Sequence, residues 1–216
     1  MVIIQIASER LMKNVQFILL GVVFISSLLV APVLQMSYAH QRALFEINGK
    51  DYLFVVGSAN EPIFVDDKTN VVLEAISPNA SDPTNTDANG TQPITGLEEM
   101  LKVEILAGDK NLTSNLEPAY GELGSYESET FYPTIPTTYD YRIFGNINGT
   151  AFDVTFSCNP AGGEAAPSDN STLEISENVV RKALIGGFGC PSERIGFPEP
   201  YISQYQVSQE LNRTSN

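Results

Sequence analysis

Histidine offers the most specific chemistry in this chain of 216 residues, and the sequence contains only one, His40. His40 directly follows Ala39, at the end of an apolar segment that is typical of export signals. If a signal peptidase cuts after Ala39, the α-amine and the ring nitrogen of His40 can together chelate Cu(II), because that ion prefers such nitrogen ligands. A carboxylate or a tyrosinate would have to complete the site. The alternative is an ordinary first residue that binds no metal.

The same shortage of histidine excludes catalytic arrangements with an internal imidazole base, such as Ser-His-Asp. Neighbouring carboxylates, Asp66-Asp67 and Glu98-Glu99, could work as acid and base only across a cleft, and an acidic chain is expected to carry them on solvated faces. Asp66, Asp67 and residues 82–87 offer oxygen ligands for calcium, but the spacing of an EF-hand is absent. We therefore expect no enzymatic activity and no bound cofactor, with Cu(II) as the one alternative.

The two cysteines, Cys158 and Cys190, are expected to form a disulfide, because exported proteins meet an oxidising environment. A metal site built on two thiolates needs further ligands, and the sequence places no histidine near either cysteine. The bond would close a loop of about 30 residues and stabilise the fold by about 3–4 kcal/mol.

Potential glycosylation sites are more frequent than the composition predicts, since about two Asn-x-Ser/Thr sequences are expected by chance. The sequence contains six: Asn79, Asn89, Asn111, Asn148, Asn170 and Asn212. The excess indicates a glycosylated surface. The alternative is that these residues serve only as turn and strand residues.

Residues 1–39 predict a signal peptide or a membrane anchor. Arg10 and Lys13 precede an almost unbroken apolar run over 17–34, and small residues stand where a signal peptidase cuts after Ala39. A run of about 18 apolar residues can also just span a bilayer uncleaved. In both cases the basic residues stay inside, so the rest of the chain is expected to be extracytoplasmic, either secreted or anchored to the membrane and facing outward.

The chain is strongly acidic, with 12 basic and 26 acidic residues and a formal charge of −14. Because residues 1–39 contain two basic residues and one acidic residue, cleavage would leave −15. Such a surface repels nucleic acid and anionic lipid. We therefore expect no nucleic-acid partner, and membrane contact only through an uncleaved N-terminal segment. The charge most simply provides solubility; a cationic partner is the alternative.

Strand signals dominate residues 40–158. The dipeptides Asn48-Gly49 and Asn148-Gly149 separate β-rich runs, and Asn-Gly is the strongest short signal for a type I′ hairpin. About seven or eight short strands favour an immunoglobulin-like β-sandwich, with a small closed barrel as the alternative. Tyr139 enters a strand where such a sandwich places its tyrosine corner, although ordinary β packing explains it equally well.

The composition changes after the last predicted strand. Residues 159–175 are rich in turn formers and predict a linker. Residues 176–201 predict a short helix, capped by Ser176, and then a segment tethered by the disulfide. The apolar residues at helical spacing are Ile175, Val179 and Ala183. Residues 202–216 are polar and are expected to form a flexible tail.

Three segments resemble a group of exported bacterial and archaeal proteins. Residues 57–62 read Gly-x-x-Asn-Glu-Pro, residues 96–98 read Gly-Leu-Glu, and residues 133–145 read Pro-x-x-Pro-x-x-Tyr-x-Tyr-Arg-x-Phe-Gly. Through them the chain is distantly similar, over about residues 40–160, to the copper-resistance CopC and YtkA-like group. The resemblance implies an immunoglobulin-like fold in the cell envelope. The copper site of that group would pair His40 with a downstream Asp-x-His, which this sequence lacks.

The sequence therefore predicts an exported, non-enzymatic β-sandwich protein of the cell envelope. Its role would be structural, or it would bind an envelope protein or ligand that the sequence does not identify. The alternative is an extracytoplasmic copper carrier that uses the processed His40.

Overall fold

The computed structural model describes residues 40–160 and 169–215, which belong to one compact unit. The predicted N-terminal helix, with its role as signal or anchor, lies outside the described residues, as do residues 161–168 of the expected linker. The described chain is mostly antiparallel strand, so the prediction of an all-β fold is confirmed.

The described residues form eleven strands, a short 3-10 helix at Leu97–Glu99 and one α-helix, α1, at Gln204–Thr214. The strands are β1 (Gln41–Ile47), β2 (Lys50–Ser58), β3 (Val71–Ser77), β4 (Gln92–Pro93), β5 (Leu101–Ala107), β6 (Lys110–Pro118), β7 (Ser125–Ser128), β8 (Asp140–Ile147), β9 (Thr150–Ser157), β10 (Leu173–Ser176) and β11 (Val179–Ile185).

Ten of these strands follow one hydrogen-bonded path in the order β10-β11-β1-β2-β3-β7-β6-β5-β8-β9, and β4 pairs with β3. Every pair along the path is antiparallel. The two ends of the path, β9 and β10, lie near each other without a ladder between them. The sheet is therefore nearly closed around one interior.

Both predicted Asn-Gly hairpins are confirmed. Asn48 and Gly49 have φ angles of 51° and 75° between β1 and β2, and Asn148 and Gly149 have 50° and 87° between β8 and β9. A type I′ turn needs positive φ at both central residues, and asparagine and glycine tolerate this conformation best. These two turns set the register of the strands that enclose the core.

Phenylalanine side chains fill the interior between strands that are distant along the sheet. Phe45 of β1 meets Phe152 of β9 edge to face, with ring centroids 5.3 Å apart. Phe54 of β2 meets the same ring at 5.4 Å. Edge-to-face contacts of this kind add about 0.5–1.5 kcal/mol each to the burial of apolar area. The contacts join β1 and β2 to β9 across the core, where no backbone ladder links them.

Tyr139 precedes β8 and is buried, and its hydroxyl donates to the carbonyl oxygen of Ile135 at 3.4 Å. Its ring also stacks on Phe131, with centroids 6.4 Å apart. The hydroxyl therefore contacts the loop that precedes β8, and the tyrosine corner stays a prediction beside ordinary β packing.

The helix predicted after Ser176 is wrong, because the segment forms the hairpin of β10 and β11. Val179 and Ala183 are buried, as the pattern indicated. Residues four apart share one face of a helix and also one face of a strand, so this spacing does not distinguish the two. The turn residue Asn178, with φ 65°, and the following Val-Val pair are the signals that favour a hairpin.

The expectation of a flexible tail over residues 202–216 is also wrong, because α1 occupies most of it. Ser203 accepts a hydrogen bond from the backbone N–H of Gln206 at 3.2 Å, and the Gln206 side chain accepts from the Ser203 backbone N–H at 2.9 Å. This reciprocal capping box is a local sequence signal that starts a helix without help from the core.

Gly145 gives a test of the β5–β8 register. Its φ is 151°, and a Cβ atom there would lie 2.0 Å from the carbonyl oxygen of Met100. We expect Gly145→Ala to lower the free energy of unfolding by about 3 kcal/mol, because both backbone strain and a steric clash result. Gly108→Ala is the matched control, since it also changes a positive-φ glycine but meets open space; we expect a loss of about 1 kcal/mol. Equal losses in denaturant titration would contradict the assigned register.

Candidate functional site

His40 lies half-buried at the start of the described chain, with its ring against Gly57 of β2. A Cβ atom on Gly57 would be 2.4 Å from Cδ2 of the imidazole, so the ring fits only because residue 57 is glycine. Burial lowers the pKa of His40, which favours the neutral imidazole. No group of three or more His, Cys, Asp or Glu residues within 40–160 and 169–215 could hold a metal ion. Copper binding through a processed His40 stays a prediction.

A buried polar cluster lies further along the Gly-x-x-Asn-Glu-Pro segment. The hydroxyls of Ser58 and Tyr141 are 2.8 Å apart, and the Tyr141 ring stacks on Phe188 with centroids 4.8 Å apart and planes 8° from parallel. The carboxylate of Glu61 accepts from the backbone N–H of Ser58 at 3.2 Å and from that of Gly189 at 3.3 Å. Glu61 thereby fastens the loop after β11 to the loop after β2.

Burial raises the pKa of Glu61 to about 7, and the two backbone N–H donors oppose that rise. The hydroxyl of Tyr141 also has a raised pKa, mainly because it is buried. The cluster holds a carboxylate poised to titrate near neutral pH. Ser58 and Glu61 both contact neighbouring protein groups, and the two hydrogen bonds that Glu61 accepts link the two loops.

The predicted cysteine pair, Cys158 and Cys190, lies at disulfide distance, with Cα atoms 4.9 Å apart. Asn159, next to Cys158, donates its backbone N–H to Phe188 at 2.7 Å and accepts from Cys190 at 3.2 Å. The disulfide and these hydrogen bonds tie the end of β9 to the segment that leads to the C-terminus.

The potential glycosylation sites differ in their surroundings. Asn79 is half-buried, and its amide nitrogen donates to the carbonyl oxygen of Asn89 at 2.6 Å. The exposed sites are Asn89, Asn111, Asn148, Asn170 and Asn212. Exposure makes glycan attachment sterically open at these five, and modification of all six stays a prediction.

The largest concentration of exposed apolar side chains lies in residues 193–214, which we name the C-terminal arm. Thirteen large hydrophobic residues are exposed in the described chain, and seven of them belong to the arm. These are Ile195, Phe197, Tyr201, Ile202, Tyr205, Val207 and Leu211. Ile195 and Phe197 are 98% and 95% exposed, which is unusual for residues of their type.

Two adjacent aspartates anchor the arm to the loop before β3. Asp67 pairs with the guanidinium of Arg194, whose Nε also donates to the carbonyl oxygen of Val65 at 3.1 Å. Asp66 accepts from the Tyr201 hydroxyl at 3.0 Å and from the backbone N–H of Gln204 at 3.1 Å. Asp66 therefore accepts from a backbone N–H in the first turn of α1 that has no acceptor within the helix. The helix dipole also favours negative charge at this end.

The anchor fixes the first turn of α1 and leaves the rest of the helix uncovered, since none of its residues is buried. One side of the helix carries a shallow surface that is open to solvent, which we name the groove. The residues that line this groove are Ile202, Gln204, Val207, Ser208, Leu211 and Asn212. From residue 204 onward they follow the spacing i, i+3, i+4, i+7 and i+8, so they form one stripe of the helix. The stripe has amide side chains at both ends, and Val207 and Leu211 lie between them on either side of Ser208.

The sequence prediction missed this surface because it treated residues 202–216 as a frayed tail. Two signals were present. Ser203 and Gln206 have the capping-box spacing, and Val207 and Leu211 are four residues apart. No local sequence pattern predicts that Asp66 and Asp67 contact Arg194 and Tyr201, because these residues are more than 120 positions away in the chain.

No family model, curated protein or solved structure matches this chain at a significant level. Similarity to the copper-resistance group stays a prediction. No helix within the described ranges has the length and apolar character needed to cross a membrane.

Glu61 generates a pH prediction. The pKa of Glu61 is about 7 in the folded protein and 4.5 in the reference state. At pH values between these two, the folded state therefore binds the proton more tightly than the unfolded state does. The stability that Glu61 contributes is therefore fully present below about pH 4.5 and is lost as the pH rises to about 7. We expect the melting temperature of the wild type to fall, relative to Glu61→Gln, as the pH rises from 4.5 to 8.

The matched control for this measurement is Glu99→Gln, which removes one negative charge from an exposed position. The difference between wild type and Glu99→Gln should lack the step expected for Glu61. A constant difference between wild type and Glu61→Gln over the same pH range would contradict the assignment.

Proposed function

We propose that this chain is an exported, non-enzymatic protein that acts outside the cytoplasm by binding another macromolecule through its C-terminal arm. The observation that carries this proposal is the groove of α1, where Ile202, Val207 and Leu211 expose apolar surface beside a helix with no buried residue. Exposed apolar patches on monomeric proteins are usually small unless they bind a partner.

The energetics of α1 support a bound partner. A helix of 11 residues is marginally stable in water. Forming its first turn costs free energy, and the few hydrogen bonds added by extending so short a helix only just offset that cost. The capping box and Asp66 stabilise its first turn, and one exposed ion pair, between Arg213 and Glu210, lies in its last turns. Covering the groove would add about 25 cal/mol for each Å² of apolar surface removed from water.

The charge distribution favours a protein partner over a lipid surface. The chain carries −14 overall, but none of the six groove residues is charged. Helices that lie on membranes carry lysine and arginine on their polar face, whereas α1 has only Arg213, which pairs with Glu210 at 2.8 Å. An uncharged groove suits a partner that presents apolar side chains of its own.

Export and the immunoglobulin-like sandwich belong to the same proposal. The export pattern of residues 1–39, the cysteine pair at disulfide distance and the exposed glycosylation sequences support an extracytoplasmic location. The two Asn-Gly hairpins and the hydrogen bond between Tyr139 and Ile135 support the sandwich. In this proposal the arm binds an envelope protein or forms part of a structural assembly, and the chain catalyses no reaction.

Photo-cross-linking tests the proposal. Benzoylphenylalanine in place of Leu211 should form a covalent adduct with a neighbouring macromolecule when cells that export the chain are irradiated, because the side chain lies in the groove. The matched control replaces Tyr120, which is fully exposed outside the arm. The readout is the adduct yield of the full chain on a denaturing gel.

We expect adducts at position 211 and only background at position 120. Absence of adducts at 211, or equal yields at both positions, would refute the arm as a binding surface. Recovery of the chain from the cytoplasm with residues 1–39 intact would refute export.

A further inference from the structure

Three Asn-Gly dipeptides occur in the chain, and they differ in how the folded structure holds their side chains and backbone. Asparagine is one of the chemically labile residues of proteins. We propose that Asn89, which precedes Gly90, is a site of spontaneous deamidation, and that hydrogen bonds protect Asn148, which precedes Gly149, from the same reaction. Asn89 lies outside the C-terminal arm, in the loop between β3 and β4.

Deamidation begins when the backbone nitrogen of the following residue loses its proton and attacks Cγ of the asparagine. A new N–C bond closes a five-membered imide ring, the Cγ–Nδ2 bond breaks, and Nδ2 leaves as ammonia with the proton that it gains. One water molecule then adds to either ring carbonyl and breaks its bond to the ring nitrogen, which gives aspartate or isoaspartate. The balance is one water consumed and one ammonia released, without oxidation. Glycine favours the attack because it has no Cβ to hinder the approach.

Both reacting groups of the Asn148 dipeptide are engaged. The backbone N–H of Gly149 donates to Oδ1 of Asn146 at 2.7 Å, and Nδ2 of Asn148 donates to the hydroxyl of Tyr52 at 3.0 Å. Ring closure would break both hydrogen bonds. It would also rotate Asn148 out of the left-handed conformation, φ 50°, on which the β8–β9 hairpin depends. This dipeptide can therefore react only during a local opening of the hairpin.

The Asn89 dipeptide is exposed and lacks this protection. Among residues 40–160 and 169–215, no hydrogen bond engages the N–H of Gly90 or the side-chain amide of Asn89. The two residues form the centre of a type II turn, since φ is negative at Asn89 and 93° at Gly90, and the N–H of Thr91 donates to Ala88 at 3.2 Å. The carbonyl oxygen of Asn89 accepts from Nδ2 of Asn79 at 2.6 Å, but this oxygen takes no part in ring closure.

The third dipeptide, Asn48-Gly49, combines features of the other two. In the part of the chain that the structure describes, no hydrogen bond engages the N–H of Gly49 or the side-chain amide of Asn48. The backbone is restrained, however, because Asn48 has φ 51° in the β1–β2 hairpin and its N–H donates to Asn178 at 2.9 Å. We therefore expect Asn48 to react more slowly than Asn89 and faster than Asn148.

Deamidation of Asn89 would also remove a potential glycosylation site. A glycan would be attached to the same Nδ2 that leaves as ammonia, so a chain that has deamidated at residue 89 can no longer be glycosylated there. Asn148 stands in the same sequence, Asn-Gly-Thr, and should keep its acceptor amide. Isoaspartate at residue 89 would lengthen the main chain by one carbon atom and disrupt the turn around Gly90.

Peptide mapping by mass spectrometry tests the proposal on the full-length protein, produced in a host that does not attach N-linked glycans. The folded protein is incubated in mildly alkaline buffer made with heavy-oxygen water, because the oxygen taken up marks the amides that are lost during the incubation. We expect Asn89 to lose its amide at least tenfold faster than Asn148. Equal rates at the two residues, or faster loss at Asn148, would overturn the inference.

The unfolded chain is the matched control, because Asn89 and Asn148 share the sequence Asn-Gly-Thr. In concentrated guanidinium chloride the two rates should agree within threefold, which would assign the difference in the folded protein to its structure. A tenfold difference that persists in the unfolded chain would overturn that assignment.

Two variants test the protecting hydrogen bonds directly. Asn146→Ala removes the acceptor of the Gly149 N–H, and Tyr52→Phe removes the partner of the Asn148 amide. Each should raise the rate at Asn148 at least threefold and leave the rate at Asn89 unchanged, which makes Asn89 the internal control. Thermal melting checks that both variants remain folded. An unchanged rate at Asn148 in both variants would overturn the protection assigned to these contacts.

Discussion

The contact of Phe45 and Phe54 with Phe152 inside the nearly closed sheet is the interaction on which the remaining structure depends. These rings join β1 and β2 to β9, which no ladder connects to them. Because β1 also pairs with β11, the position of the C-terminal hairpin follows from the same packing. The packing of the core therefore positions the end of β11, and with it the start of the segment that leads to the C-terminal arm.

Beyond the core, two polar contacts and one disulfide at one end of the sheet hold the segment after β11 in place. Glu61 accepts from Gly189, Cys190 is joined to Cys158, and Asp67 holds Arg194. All three interactions connect the segment after β11 to residues at least 30 positions earlier in the chain. Buried or half-buried polar groups of this kind need specific partners, so they give the segment one position on the sheet.

The sequence could predict those parts of the fold that local chemistry decides. Asn48-Gly49 and Asn148-Gly149 specify their hairpins because both dipeptides tolerate positive φ, and Cys158 and Cys190 were the only possible thiol pair. The segment from Val179 to Ala183 was misassigned because a spacing of four residues fits a strand as well as a helix. The arm was missed for another reason: Asp66 and Asp67 find their partners only after the core has formed, and pairing over such distances leaves no local pattern.

The start of α1 shows how the local and distant contributions combine. Ser203 and Gln206 cap each other from within the sequence, while Asp66, more than 130 residues earlier, accepts from Gln204. The first turn is thus fixed before any partner arrives. Ordering a helix on binding costs conformational entropy that subtracts from affinity. A helix whose first turn is already held in place would avoid part of that loss on binding the proposed partner.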